Sequence, residues 1–119
     1  MKIAVTSQGT TLESEMDPRF GRAAYIMIVD SETMAFEVFD NSENANALKG
    51  AGIKTSVLIS ENGAKVLLTG YCGPNAFKTL HTGGLKVVND VNGSVKEAVL
   101  AFNDGIFTYS EGPNKDGHW

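Results

Sequence analysis

Cysteine is nearly absent: the chain of 119 residues has one, Cys72. A single thiol cannot close an intrachain disulfide, so nothing points to secretion. Nor does one thiol make a zinc or iron–sulfur site, which usually takes three or four ligands. Long apolar runs are lacking too, and none approaches the roughly 18 residues a membrane span requires. The N-terminus, Met1-Lys2-Ile3-Ala4-Val5-Thr6, turns polar too soon for a signal peptide. Basic charge in excess is missing. The net charge of −4 and a pI near 5.0 argue against nucleic acid and anionic membrane, both of which attract basic surfaces. A cytoplasmic location is the default expectation.

Catalytic signatures are also missing. No G-x-S-x-G elbow appears. The first strand carries no acid, so no carboxylate cluster for a two-metal nuclease forms there. The expectation is a non-enzyme. What remains is ordinary for a soluble globular protein, 42% hydrophobic and 20% charged, in one domain long enough to bury its own core.

The stretch that organises the rest is Val66–Asn75, Val-Leu-Leu-Thr-Gly-Tyr-Cys-Gly-Pro-Asn. A short apolar run, a glycine-opened turn and a proline suited to a first helical turn read as strand, turn and helix start. In open α/β sheets, the carboxyl end of such a parallel strand is where ligands bind.

In chain order, Lys2–Thr6 reads as the first strand, and Ser7–Gly21 as a loop of about fifteen residues, long enough to suggest function. Ala24–Asp30 and Ala35–Asp40 read as strands joined by a polar turn, an antiparallel hairpin. Ala47–Asn62 has roughly helical spacing at Leu48, Ala51, Ile53, Val57 and Leu58. Val66–Leu68 is the fourth strand, Gly73–Thr82 a helix, and Leu85–Val88 the fifth strand. Ser94-Val95-Lys96-Glu97 fits the capping box of a last helix, with Val95, Ala98, Val99 and Phe102 as its stripe. The order β-β-β-α-β-α-β-α predicts an α/β domain: a mixed five-stranded sheet, strands 1–3 an antiparallel meander and strands 1, 4 and 5 parallel, with helices on both faces. Residues 1–107 form the domain, and 108–119 are expected to be a flexible tail.

Several residues invite chemistry. Gly50-Ala51-Gly52-Ile53-Lys54-Thr55 fails the phosphate-loop pattern, which needs Gly directly before Lys, and Thr55 breaks G-x-G-x-x-G. It leaves either an anion-receiving helix start or a close packing contact. Arg19 and Arg22 bracket Phe20 and offer planar cationic forks to an anion, or else pair with Asp17 or Glu15. Cys72 is a metal ligand or an inert small hydrophobe. His81 suits the last turn of a helix, where its charge meets the helix dipole. His118, in the tail, is assigned nothing.

Three segments together, Asp17-Pro18-Arg19-Phe20-Gly21-Arg22, Gly50 to Thr55, and Thr69-Gly70-Tyr71-Cys72-Gly73-Pro74-Asn75-Ala76-Phe77, resemble the dinitrogenase iron–molybdenum cofactor biosynthesis family. This is the small NifX/NafY/NifB-C-terminal-like domain, and the resemblance runs from Lys2 to about Phe107. It implies a ribonuclease-H-like fold and a protein that binds or carries a metal–sulfur cluster without catalysis. The orange proteins of sulfate-reducing bacteria, similar in size, hold a molybdenum–copper–sulfide cluster noncovalently. Many members have His and Cys around the Phe-Gly-Arg segment, where this chain has Arg19 and Ala23. That departure fits a preassembled anionic cluster, Mo–Cu–sulfide or iron–molybdenum in type, held by charge and hydrogen bonds. Such a guest needs N–H donors, a few cations and a partly apolar wall. Arg19, Phe20, Arg22, Gly50, Gly52, Gly70, Tyr71, Gly73 and Asn75 are the expected cluster contacts, with Cys72 as the one candidate metal ligand. A protein partner for cluster delivery is a further expectation. The other reading is a cofactor-free protein–protein regulatory module.

Overall fold

Alternation along β1 (Lys2–Ser7) sends Ile3 and Val5 to one face of the sheet and Ala4 to the other. In this computed structural model, which describes residues 1–114, that strand is the centre of the fold. β2 (Tyr25–Asp30) pairs antiparallel on one side, Ala4 opposite Ile28, and β3 (Phe36–Asp40) pairs antiparallel beyond it. β4 (Val66–Leu68) adds in parallel on the other side, Ala4 opposite Leu67, and β5 (Lys86–Val88) follows in parallel. The order β3-β2-β1-β4-β5 is the mixed sheet expected from the sequence.

Four helices complete the chain: α1 (Ser42–Ala45), α2 (Ala51–Glu61), α3 (Pro74–Thr82) and α4 (Val95–Asn103). Ile59 of α2 and Ala76 and Leu80 of α3 bury against Ala4, Ile26, Ile28 and Leu67. On the opposite face, Val95, Ala98 and Val99 of α4 bury against Ile3, Val5, Met27 and Leu68. α4 opens as its sequence predicts: the Glu97 amide donates to Ser94 Oγ at 3.1 Å and the Ser94 amide donates to Glu97 Oε1 at 3.0 Å. The Ser94 amide first, and the Ser94 hydroxyl after it, hold the Glu97 carboxyl below its usual range.

The structure corrects the helix expected at Ala47–Asn62. One short turn, α1, precedes it, and α2 begins only at Ala51, because Gly50 sits in the left-handed region at φ 77°. Leu48, read as part of the helix's apolar face, is 100% exposed. The expected apolar stripe of α2 holds only in part, with Ala51 buried and Leu58 packed on the core. The helix buries Ala51, Gly52, Thr55 and Ser56 beside Ile59, while Ile53 and Val57 stand 41% and 43% exposed. Small and hydroxyl side chains are what the tight space admits. Thr55 Oγ1 donates to Asn41 Oδ1 at 3.2 Å, and Ser56 Oγ donates to Gly52 O at 2.7 Å.

The stretch 7–21 is less irregular than its composition suggests. Isolated bridges join Ser7 to Met16, Glu15 to Ser94 and Arg19 to Tyr71. The expected flexible tail begins on the body of the protein. The Ser110 amide donates to Val87 O at 2.7 Å, and Asn89 Nδ2 donates to Gly112 O at 3.3 Å. Residues 115–119, His118 among them, lie outside the described residues.

Candidate functional site

The loop before β2, the start of α2 and the start of α3 meet at the carboxyl ends of β1 and β4. Glycine makes the contact close enough. A Cβ on Gly70 would lie 2.7 Å from Pro18 O, and one on Gly21 would lie 2.6 Å from the Gly52 nitrogen. Through the first approach the Tyr71 amide donates to Pro18 O at 2.6 Å, and the Phe20 amide donates to Tyr71 O at 3.1 Å. Underneath, Thr6 and Thr69, both buried, share a hydroxyl hydrogen bond of 3.1 Å across β1 and β4.

Above this junction lies a cavity of about 350 Å³, towards the small end of the roughly 300–1,000 Å³ usual for ligand pockets. Phe20, Arg22, Gly50, Gly52, Tyr71, Gly73 and Asn75 line it, seven of the ten residues singled out in the sequence. Leu48, Lys49 and Ile53 line it too; the helical spacing of Leu48 and Ile53 hides them, and no motif marks Lys49. A left-handed glycine just before α2 is the signal that would have released that loop. No Asp or Glu is among the described residues that line it.

Both helices open towards the cavity with a glycine at the N-cap, Gly50 and Gly73, and no side chain caps either. Neither has an acidic residue in its first turn. The first amides of a helix have no partner within it, and the helix dipole adds partial positive charge at the same end. Two such ends on this cavity suit an anion.

The three other singled-out residues stand off the cavity. Gly70 packs on Pro18. Arg19 turns its half-exposed guanidinium to Asp17, Nε to Oδ1 at 3.3 Å. Asp17, buried, also accepts from the Arg19 and Ala24 amides and so shapes the loop. Cys72 is 1% exposed and its Sγ lies 3.7 Å from Gly73 O. Burial pushes its thiol up to about 12. Arg22 lines the cavity but donates Nη1 to Ala45 O at 2.6 Å and to Ala47 O at 2.8 Å, anchoring the loop that carries Leu48. His81 falls in the last turn of α3, stacked on Phe77 with ring centroids 6.3 Å apart.

Asn114 gave no sign of itself in the sequence. Its Oδ1 accepts from the Cys72 amide at 2.9 Å, its Nδ2 donates to Gly70 O at 2.9 Å, and its own amide donates to Cys72 O at 3.1 Å. It stitches the C-terminal segment to the central turn. Among the described residues, no three His, Cys, Asp or Glu side chains gather where they could hold a metal ion. No helix there is long and apolar enough to cross a membrane.

The family model for the dinitrogenase iron-molybdenum cofactor matches residues 1–105. The chain belongs to that family. Among solved structures, the apo orange protein of Desulfovibrio gigas is similar at 46% identity, with a TM-score of 0.93 and 96% of each chain covered. A NifB-like protein from Thermotoga is similar at 34% identity, TM-score 0.78, with 91% of each chain covered. A Methanocaldococcus jannaschii protein at 16% identity shares the fold, TM-score 0.71, over 95% of this chain and 97% of its own. No curated protein sequence matches. Family membership and the orange-protein neighbour associate the chain with metal-cluster binding of the iron–molybdenum cofactor type.

Proposed function

We propose that the cavity at the starts of α2 and α3 receives a preassembled, anionic metal–sulfur cluster, and that the protein carries this cargo without transforming it. The observation that supports the reading is the pair of uncapped helix starts on a cavity with no carboxylate among the described residues that line it. A cluster whose metals are already saturated by sulfide needs no protein ligand, and a buried thiol pushed up to about 12 is a poor one. Amides and Lys49 supply the positive side, while Leu48, Ile53 and the edges of Phe20 and Tyr71 supply apolar wall. Likeness to the orange protein favours a molybdenum–copper–sulfide guest, and the family description favours an iron–molybdenum one.

Reconstitution tests the reading. Apo-protein mixed with tetrathiomolybdate and copper, then passed over gel filtration, should elute with visible charge-transfer absorption and stoichiometric metal. Colour that stays with the small-molecule fraction contradicts it.

A further inference from the structure

Charge is segregated along this chain. Between Asn44 and Asn89 lie five of its ten Lys and Arg residues but only one of its fourteen Asp and Glu, Glu61. This stretch holds β4, β5 and the two helices α2 and α3, which pack side by side on one face of the sheet and carry Lys54 and Lys78, with Glu61 at the end of α2. Lys54 and Lys78 are exposed on those helices, and Lys49 stands on the cavity. The same layer exposes apolar side chains without a partner. Ile53 and Val57, one turn apart, are 41% and 43% exposed, and Leu48 is 100% exposed. α2 buries Ile59 and packs Leu58 on the core, yet it turns Ile53 and Val57 outward, more apolar surface than a face that meets only water needs.

We propose that the outer face of α2 and α3 is a docking surface for a second protein, one that presents carboxylates around an apolar contact. The charge complement selects an acidic partner. A second copy of this chain fits less well. Two copies joined face to face would set lysine against lysine, and a head-to-tail contact would build a ring or a filament rather than a closed pair. Ile53 belongs both to the stripe and to the cavity lining, so a partner seated here covers the cavity mouth. Cargo could then pass between the two proteins without crossing water. That last consequence rests on the cargo reading; the surface itself does not.

A photo-crosslinking amino acid, benzoylphenylalanine, placed at position 57 and separately at position 100 on α4 tests the surface. Leu100 is 44% exposed on the other side of the sheet, so it serves as the contrast. In extract of the source cells, position 57 should link one protein that position 100 does not, through peptides rich in Asp and Glu. Combining the probe with Lys54→Glu and Lys78→Glu should cut the yield about tenfold or more, as like charges then face each other. Self-links, no link, equal linking from position 100, or a yield indifferent to the two reversals each overturn the proposal. Loading of Lys78→Glu with tetrathiomolybdate and copper should match the parent protein, which separates failure at this surface from failure at the cavity.

Discussion

Gly52 and Ala76 are the point at which α2 touches α3: a Cβ on Gly52 would lie 2.8 Å from the Cβ of Ala76. No real pair of methyl groups comes that close, so the distance between the two helix starts, and with it the width of the cavity they flank, is set by a missing side chain.

Gly52→Ala should therefore destabilise the fold by about 1–3 kcal/mol, the usual cost of overpacking. Urea unfolding measures it. Adding Ala76→Gly should return part of that loss, beyond the sum of the single effects, because the clash is shared by the pair. Strict additivity would show that the helices are not held apart by this contact.

The two arginines of the Phe-Gly-Arg loop should behave differently. Arg22 holds the carbonyls of Ala45 and Ala47, so Arg22→Ala unfastens the loop that carries Leu48 and Lys49. A lost pair of charge-assisted hydrogen bonds is worth about 1.5–3 kcal/mol, so retention of a bound cluster should weaken about tenfold or more. Arg19→Ala removes only a half-exposed pair with Asp17 and should leave retention within about twofold. Equilibrium dialysis of the loaded variants checks the order.

Cys72 should be inert in the native protein. Its thiol is pushed from 9.0 to about 12 by burial, so near pH 8 its thiolate fraction is about a thousandfold below that of an unfolded chain. Labelling with a disulfide reagent should need denaturant. The sign of the linkage follows: the unfolded thiol ionises first, so stability is lost as pH rises from about 9 towards 12. Cys72→Ala should flatten that loss and leave cluster retention unchanged.

Asn114→Ala should loosen the C-terminal segment and the central turn together. It removes the acceptor of the Cys72 amide and the donor to Gly70 O. Hydrogen exchange at the Cys72 amide should speed by about tenfold, the worth of roughly one net hydrogen bond, while exchange in α4 stays unchanged.

The sheet was legible because its inner parallel strands are short apolar runs, such as Val66–Leu68, separated by stretches with helical spacing; in β1, Ala4 faces away from Ile3 and Val5. α4 was legible because Ser94 and Glu97 spell a cap. α2 was not, since its buried face is chosen by lack of space beside Ala76 and Gly21, and small residues carry no apolar period. The cavity was half legible: glycines and Phe20 mark where backbones approach, but the orientation of Arg19 and Arg22 depends on Asp17 and on carbonyls more than twenty residues away in sequence from Arg22. The Asn114 contact left no trace, because one asparagine in a polar segment looks like any other.

The most direct measurement is an amide-shift map of the labelled protein as tetrathiomolybdate and copper are added. The amides of Ala51, Gly52, Ile53, Asn75 and Ala76 should move together and saturate at the metal stoichiometry found after gel filtration. Shifts that gather on α4, or that leave both helix starts still while metal is bound, would contradict it.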